Sequence, residues 1–163
     1  MKIISGGQTG VDRAALDVAI ERGLEWGGWC PQGGWAEDLV VPPGVLARYP
    51  NLKETPLPNP LQRTEWNVRD SDAALIIVDA RGIVASIGTQ RANEWARKHG
   101  KPEFVASIDD ESAASRAAAW LQAQQARFGS DMTLSIGGPR ESEAPGIYAP
   151  AKKLIVGILS LAA

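Results

Sequence analysis

The sequence is short of thiols, imidazoles and net charge. It has one cysteine, Cys30, and one histidine, His99. A lone cysteine has no internal disulfide partner, which fits a reducing compartment. There is no zinc-ligand spacing, no His-Glu-x-x-His and no Gly-x-Ser-x-Gly. Cys30 reads as a small buried hydrophobe and His99 as the closing residue of a helix. A formal net charge of −2 offers no basic surface for nucleic acid or an anionic membrane. No apolar run approaches the length of a bilayer span, and the first residues lack the charged-then-apolar pattern of an export signal. These deficits leave a cytoplasmic protein with no nucleic-acid or membrane partner.

What is present is an ordinary globular composition, 44% hydrophobic and 22% charged over 163 residues, enough for one domain spanning 1–163. Short apolar runs at 2–5, 25–30, 73–78, 103–108 and 132–136 read as strands. The run AALIIV, at 73–78, has the continuous character of a strand buried on both faces of a parallel sheet. Helical spacing follows at Ala15, Leu16, Ala19 and Ile20, then over 61–71 (with a Glu65–Arg69 pair), 91–99, 110–128 and 149–161. Strand and helix alternate, which predicts an α/β fold, a parallel sheet with helices on both faces. Between 31 and 60 the chain is rich in Pro and Gly, a length of loop that is usually functional or a covering segment.

Two glycine-rich stretches need a reason. SGGQTGVD, at 5–12, joins the first strand to the first helix, and SIGGPRESEAPG lies near the other end. In parallel α/β sheets ligands bind beyond the carboxyl ends of the strands, where 5–12, 86–91 and 137–146 all fall. Glycine permits close backbone approach, and a helix start offers unpaired N–H groups to an oxyanion. Thr9, Thr89 and Ser142 add hydroxyls, and Arg140 adds a guanidinium. A tight turn with no ligand would carry the same glycines, and neither stretch is a P-loop or Gly-x-Gly-x-x-Gly. Glu141 and Glu143 read as a solvated acidic loop. Of six tryptophans, Trp29 and Trp35 flank the long loop, where either could stack on a flat heterocycle, with core packing the commoner use.

Longer motifs carry a resemblance. Residues 5–31, SGGQTGVDRAALDVAIERGLEWGGWCP, resemble the glycine-loop unit of the nucleotide-binding family that includes the cytokinin-activating phosphoribohydrolases. RTEWNVRDSDAALII resembles that family's arginine-bearing helix and following strand, with Arg63 at the ligand-binding arginine and Thr64 where a lysine stands. SIGT, ending in Thr89, takes the place of a Pro-Gly-Gly-x-Gly-Thr phosphate loop, and KHGKPEFV matches the next strand. The family's first unit is missing from the start and reappears at the end as LSIGGPRESEAPGIYAPAKKLIV. That is the pattern of a circular permutation, and it implies that the first and last strands are neighbours in a Rossmann-like sheet.

The set SGGQTGVDRAALD, GGWCP, AED, RTEWNVRDSD and GGPRESEAPGIY is similar to the molybdenum cofactor carrier proteins, permuted members of that superfamily. The resemblance implies a homo-oligomer holding a small molecule, either molybdenum cofactor or a nucleotide. Its cradle would be Gly6, Gly7, Gln8, Thr9, Gly10, Gly88 and Thr89, faced by Arg63, Arg140, Glu141 and Ser142. Four positions depart from the pattern. Ala92 stands where the hydrolases have a glutamate, Gln32 and Gly34 replace two cations, and Ile87 replaces a glycine. A carrier follows most directly from the missing carboxylate. The alternative is a nucleotide sensor or nucleoside monophosphate phosphoribohydrolase-like enzyme in which Glu65, Asp70 or Glu141 substitutes.

Overall fold

Six short strands, all parallel, carry the architecture. In the computed structural model, described over Met1–Ala163, the strands are β1 (Lys2–Ile4), β2 (Glu25–Cys30), β3 (Leu52–Glu54), β4 (Ala73–Val78), β5 (Glu103–Ser107) and β6 (Thr133–Gly137). Five helices alternate with them: α1 (Val11–Glu21), α2 (Pro60–Arg69), α3 (Ile87–Lys98), α4 (Ala113–Phe128) and α5 (Tyr148–Ala162). The sheet order is β3-β2-β1-β6-β4-β5. First and last strands are therefore central neighbours, with Lys2 opposite Thr133, Ile3 opposite Leu134 and Ile4 opposite Ser135. This is the pairing that the permuted motif order implies.

Strand side chains alternate between the two faces, so each face recruits its own helices. Ile3, Leu75, Ile77, Leu134 and Ile136 point to one side, where α1, α4 and α5 cover them with Val11, Ala15, Leu121 and Ile155. The opposite face is thinner, built on Val68, Ala74 and Ala96 beneath α2 and α3. A third cluster, Leu16, Cys30, Val45, Tyr49 and Leu52, lies under the segment between β2 and α2. Burial of the Cys30 thiol pushes it up to about 11, with Glu54 adding to the rise. No helix is long and apolar enough to cross a membrane.

The local differences from the sequence expectations have physical causes. Helix α3 begins at Ile87, a turn before the expected 91, because the Ser86 hydroxyl accepts the Thr89 N–H at 3.2 Å and caps it. Helix α4 begins at Ala113 because Asp110 holds a turn, its carboxylate accepting the Ser112 N–H at 2.8 Å. Strand β3 lies inside the Pro- and Gly-rich segment expected to be loop, and pairs with Gly28–Cys30. The Glu65–Arg69 pair does not form: Arg69 turns to Asp70 at 2.7 Å, and Glu65 lies 3.3 Å from His99 on α3. Trp29 packs edge-on against Trp66 at 4.8 Å between centroids.

Candidate functional site

The chain leaves β4 toward α3 on one face and leaves β6 toward α5 on the other. Adjacent parallel strands whose connections part in this way open a crevice at their carboxyl ends. A cavity of about 270 Å³ occupies it. Gly137 and Gly138 at the end of β6 form its floor, and Ser86, Gly88 and Thr89 at the start of α3 form one wall. Arg63 and Thr64 enter from α2, Gln8 and Asp12 from the β1–α1 connection, and Arg140 and Glu143 from the β6–α5 connection.

The α3 wall is a donor surface. Ser86 occupies the cap, so the amides of Ile87 and Gly88 precede the first intrahelical hydrogen bond. Thr89 lines the cavity at 3% exposure, and its buried hydroxyl has no protein partner. A buried hydroxyl of this kind is a standing cost until a ligand satisfies it. One turn further, Ala92 lines the same cavity and brings no functional group.

Across from α3 lies an ion pair. Arg63 Nη1 is 2.9 Å from Asp12 Oδ2, and the Asp12 side chain is 3% exposed. Burial pushes the Asp12 carboxyl above its ordinary range, against the pull of Arg63, the Gln8 backbone, Ser5 and Arg13. A second pocket of about 30 Å³ lies behind the pair, lined by Ser5, Gly6, Asn67 and Ser135 among others.

The two glycine stretches meet each other. Gly10 has φ +76°, and a Cβ there would come within 2.4 Å of the Pro139 carbonyl oxygen. Val11 donates its N–H to that same oxygen at 3.2 Å. Residues 36–38, AED, then tie both stretches to the long segment. Glu37 accepts from the Thr9 hydroxyl, and from the Ser142 N–H at 3.1 Å and hydroxyl at 2.5 Å. Asp38 takes a bidentate pair from Arg13 at 2.5 and 2.9 Å, and Arg13 also donates to the Gly7 carbonyl at 3.1 Å. The Gln8 side-chain oxygen accepts the N–H groups of Thr9 and Glu37. Burial works against charge on Glu37, but the Ser142 and Thr9 hydrogen bonds outweigh it and hold the carboxyl low.

Of the expected cradle, Gln8, Gly88, Thr89, Arg63 and Arg140 line the cavity. Gly6 lines the pocket behind it. Gly7, Thr9, Gly10, Glu141 and Ser142 lie outside both linings, in the contacts that join the two glycine stretches to each other and to the long segment. Glu141 is no solvated side chain: it accepts the N–H groups of Gly146 at 2.6 Å and Tyr148 at 2.9 Å, closing the start of α5. Glu143 accepts the Ser86 hydroxyl at 3.1 Å. Arg140 Nε sits 3.5 Å from both Glu37 and Glu143.

Sequence reasoning missed Asp12 and Glu143, the carboxylates that line the cavity. Asp12 stands in the first turn of α1, where an acid suits the helix dipole, so its type and place alone raise no flag. Glu65, Asp70 and Glu141 are not in the lining, nor are Trp29 and Trp35. No group of three or more His, Cys, Asp or Glu side chains is placed to hold a metal ion.

Residues 3–159 match the family described as the circularly permutated YpsA SLOG family. Among solved structures the chain is similar to a putative molybdenum carrier protein from Syntrophus aciditrophicus SB. The two share 38% identity over 97% of this chain and 94% of that one, with a TM-score of 0.80. No curated protein matches.

Proposed function

Because the chain belongs to the circularly permuted YpsA SLOG family, we propose that its cavity holds a phosphate-bearing small molecule without cleaving it, as a carrier of molybdenum cofactor. One observation carries this reading: oxyanion donors surround a cavity whose hydrolase carboxylate is Ala92. The Gly88 amide, the unsatisfied Thr89 hydroxyl and the Arg63 guanidinium suit a phosphate. The description of the Syntrophus aciditrophicus protein, alike over nearly the whole chain, supports the choice of cargo.

At about 270 Å³ the cavity falls just below the usual ligand range of roughly 300–1,000 Å³. It therefore encloses one end of the cofactor and leaves the rest at the mouth. Pro60, Leu61 and Ile87 line that region, and Ile87 is 67% exposed. Apolar side chains there pack against a flat ring, while Gln8 and Glu143 offer its edge polar partners. The protein's part is to bind, orient and shield.

Anaerobic loading with molybdenum cofactor, gel filtration and oxidation of the protein peak to the fluorescent pterin product tests the proposal. Stoichiometric pterin that excess AMP fails to displace is the expected result. Pterin displaced by AMP, or absent, overturns the carrier reading in favour of a nucleotide sensor using the same donors. Free base released from a nucleoside monophosphate would make it a hydrolase, with Asp12 or Glu143 as its carboxylate.

A further inference from the structure

We propose that Asp12 makes the anion subsite select an oxyanion that carries a hydrogen, a phosphate group in preference to sulfate or molybdate. The inference rests on the reading that this cavity binds a phosphate-bearing ligand, and it adds which end of the ligand enters.

The argument starts from charge. Arg63 and Arg140 line the cavity, and so do Asp12 and Glu143. Each arginine is already engaged: Arg63 with Asp12 at 2.9 Å, Arg140 between Glu37 and Glu143 at 3.5 Å. No surplus positive charge is left for an incoming anion. A carboxylate is an acceptor only, so an oxygen without hydrogen that approaches Asp12 meets repulsion. An O–H group meets a short, charge-assisted hydrogen bond instead. Discrimination by a buried acceptor of this kind is steep, because the wrong ligand leaves two acceptors face to face.

Asp12 is placed to exert that choice. It is 2% exposed, lines both the cavity and the pocket behind it, and shares the cavity with the unsatisfied Thr89 hydroxyl. The charged groups that act on it are Arg63 on α2 and Arg13 on its own helix, and Arg140 with Glu143 on the β6–α5 connection line the same cavity. The α3 wall adds only the uncharged Ser86, Thr89 and Ala92, and β6 adds Gly137. When an oxyanion shares Arg63 with Asp12, a hydrogen between carboxylate and anion restores the balance. Hydrogen phosphate brings that hydrogen at neutral pH, and a phosphate monoester takes it up close to neutrality. Sulfate and molybdate carry none. For molybdenum cofactor the phosphate end is inside and the oxo-metal end is at the mouth.

Calorimetric titration with inorganic phosphate, sulfate and molybdate near neutral pH tests this. Phosphate binds at least about tenfold more tightly than either competitor, the difference expected for one charge-assisted hydrogen bond. Asp12→Asn, which keeps the shape and adds a donor, brings the three anions to within about threefold of one another. Thr89→Val weakens all three and leaves their ratio unchanged. The wild-type protein gives a readout free of any folding question. Sulfate affinity rises up to about tenfold per pH unit on going from pH 8 to 6, as Asp12 takes up the hydrogen the anion lacks, and phosphate affinity rises less. Ribose 5-phosphate separates the two sources of the group: tighter binding than phosphate assigns the subsite to a monoester terminus, weaker binding to the free anion. Sulfate equal to phosphate, with flat pH dependence, overturns the role of Asp12 and leaves the anion site standing. Failure of every anion to bind overturns both.

Discussion

The Arg63 guanidinium lies where a side chain on residue 6 would be: a Cβ built at Gly6 would fall 2.2 Å from Nη1 and 2.5 Å from Cζ. Gly6 is therefore the seat of an arginine as well as a backbone turn. Gly6→Ala displaces the free end of a flexible side chain, not the backbone, so the protein folds. The displaced Arg63 parts from Asp12, and affinity for a phosphate-bearing ligand falls roughly tenfold to a hundredfold, the worth of one charged hydrogen bond. Circular dichroism and a binding titration on the same sample check both halves of this prediction.

Gly10→Ala has the opposite profile. A Cβ there meets the Pro139 carbonyl oxygen at 2.4 Å, and the φ of +76° is itself unfavourable for alanine. The contact does not relax cheaply, since its partner is main chain. A loss of about 3 kcal/mol or more is expected, seen as a melting temperature lower by roughly 6–12 °C. Unchanged melting would show that the two glycine stretches are not packed as described.

The acid dependence of stability separates Glu37 from Asp12. Hydrogen bonds hold the Glu37 carboxyl below its unfolded value of about 4.3, so its stabilisation is present above that pH and lost as pH falls through the folded value. Glu37→Gln lowers the melting temperature near pH 7, and the deficit closes toward acid. Asp12 is raised by burial above an unfolded value of about 3.9, so its contribution is complete below that pH and drains away as pH rises through the folded value. Asp12→Asn removes that decline. Melting curves of the three proteins from acid to neutral pH read both slopes.

Cys30 should be silent until the fold opens. It is fully buried, and its thiol titrates at about 11. At pH 8 that leaves a thiolate fraction of about 0.001, behind a closed surface. A thiol reagent therefore labels native protein at least about a hundredfold more slowly than protein in urea. Equal rates would place Cys30 outside the core.

Legibility followed the range of the interaction. The β4 run AALIIV declares itself because burial on both faces demands an unbroken apolar string. The β1–β6 pairing was readable from motif order, although the strands are far apart in the chain. The start of α3 was not, because Ile87, Gly88 and Thr89 are poor helix formers and the turn depends on the Ser86 cap. Strand β3 was hidden for a similar reason: Leu52, Lys53 and Glu54 are a strand only because β2 lies alongside. In the site, Thr89 and Arg140 could be picked out by type, and Arg63 by its place in the motif that resembles the family's arginine-bearing helix. Thr9 and Ser142 have the same chemistry but spend it on Glu37, a partner that no spacing rule connects to them. Asp12 and Asp38 look equivalent as letters; one lines the cavity and the other closes a loop.

The centre of the sheet joins two strands that are made far apart in time. Lys2–Ile4 emerge from the ribosome well before their partner Thr133 and its neighbours. Until then the first glycine stretch has no Pro139 to rest on, Asp12 has no Gly137 floor, and Glu37 has no Ser142. Contacts that join the extremes of a chain form late and all together. A chain that lacks β6 and the connection after it consequently has no closed pocket to fill.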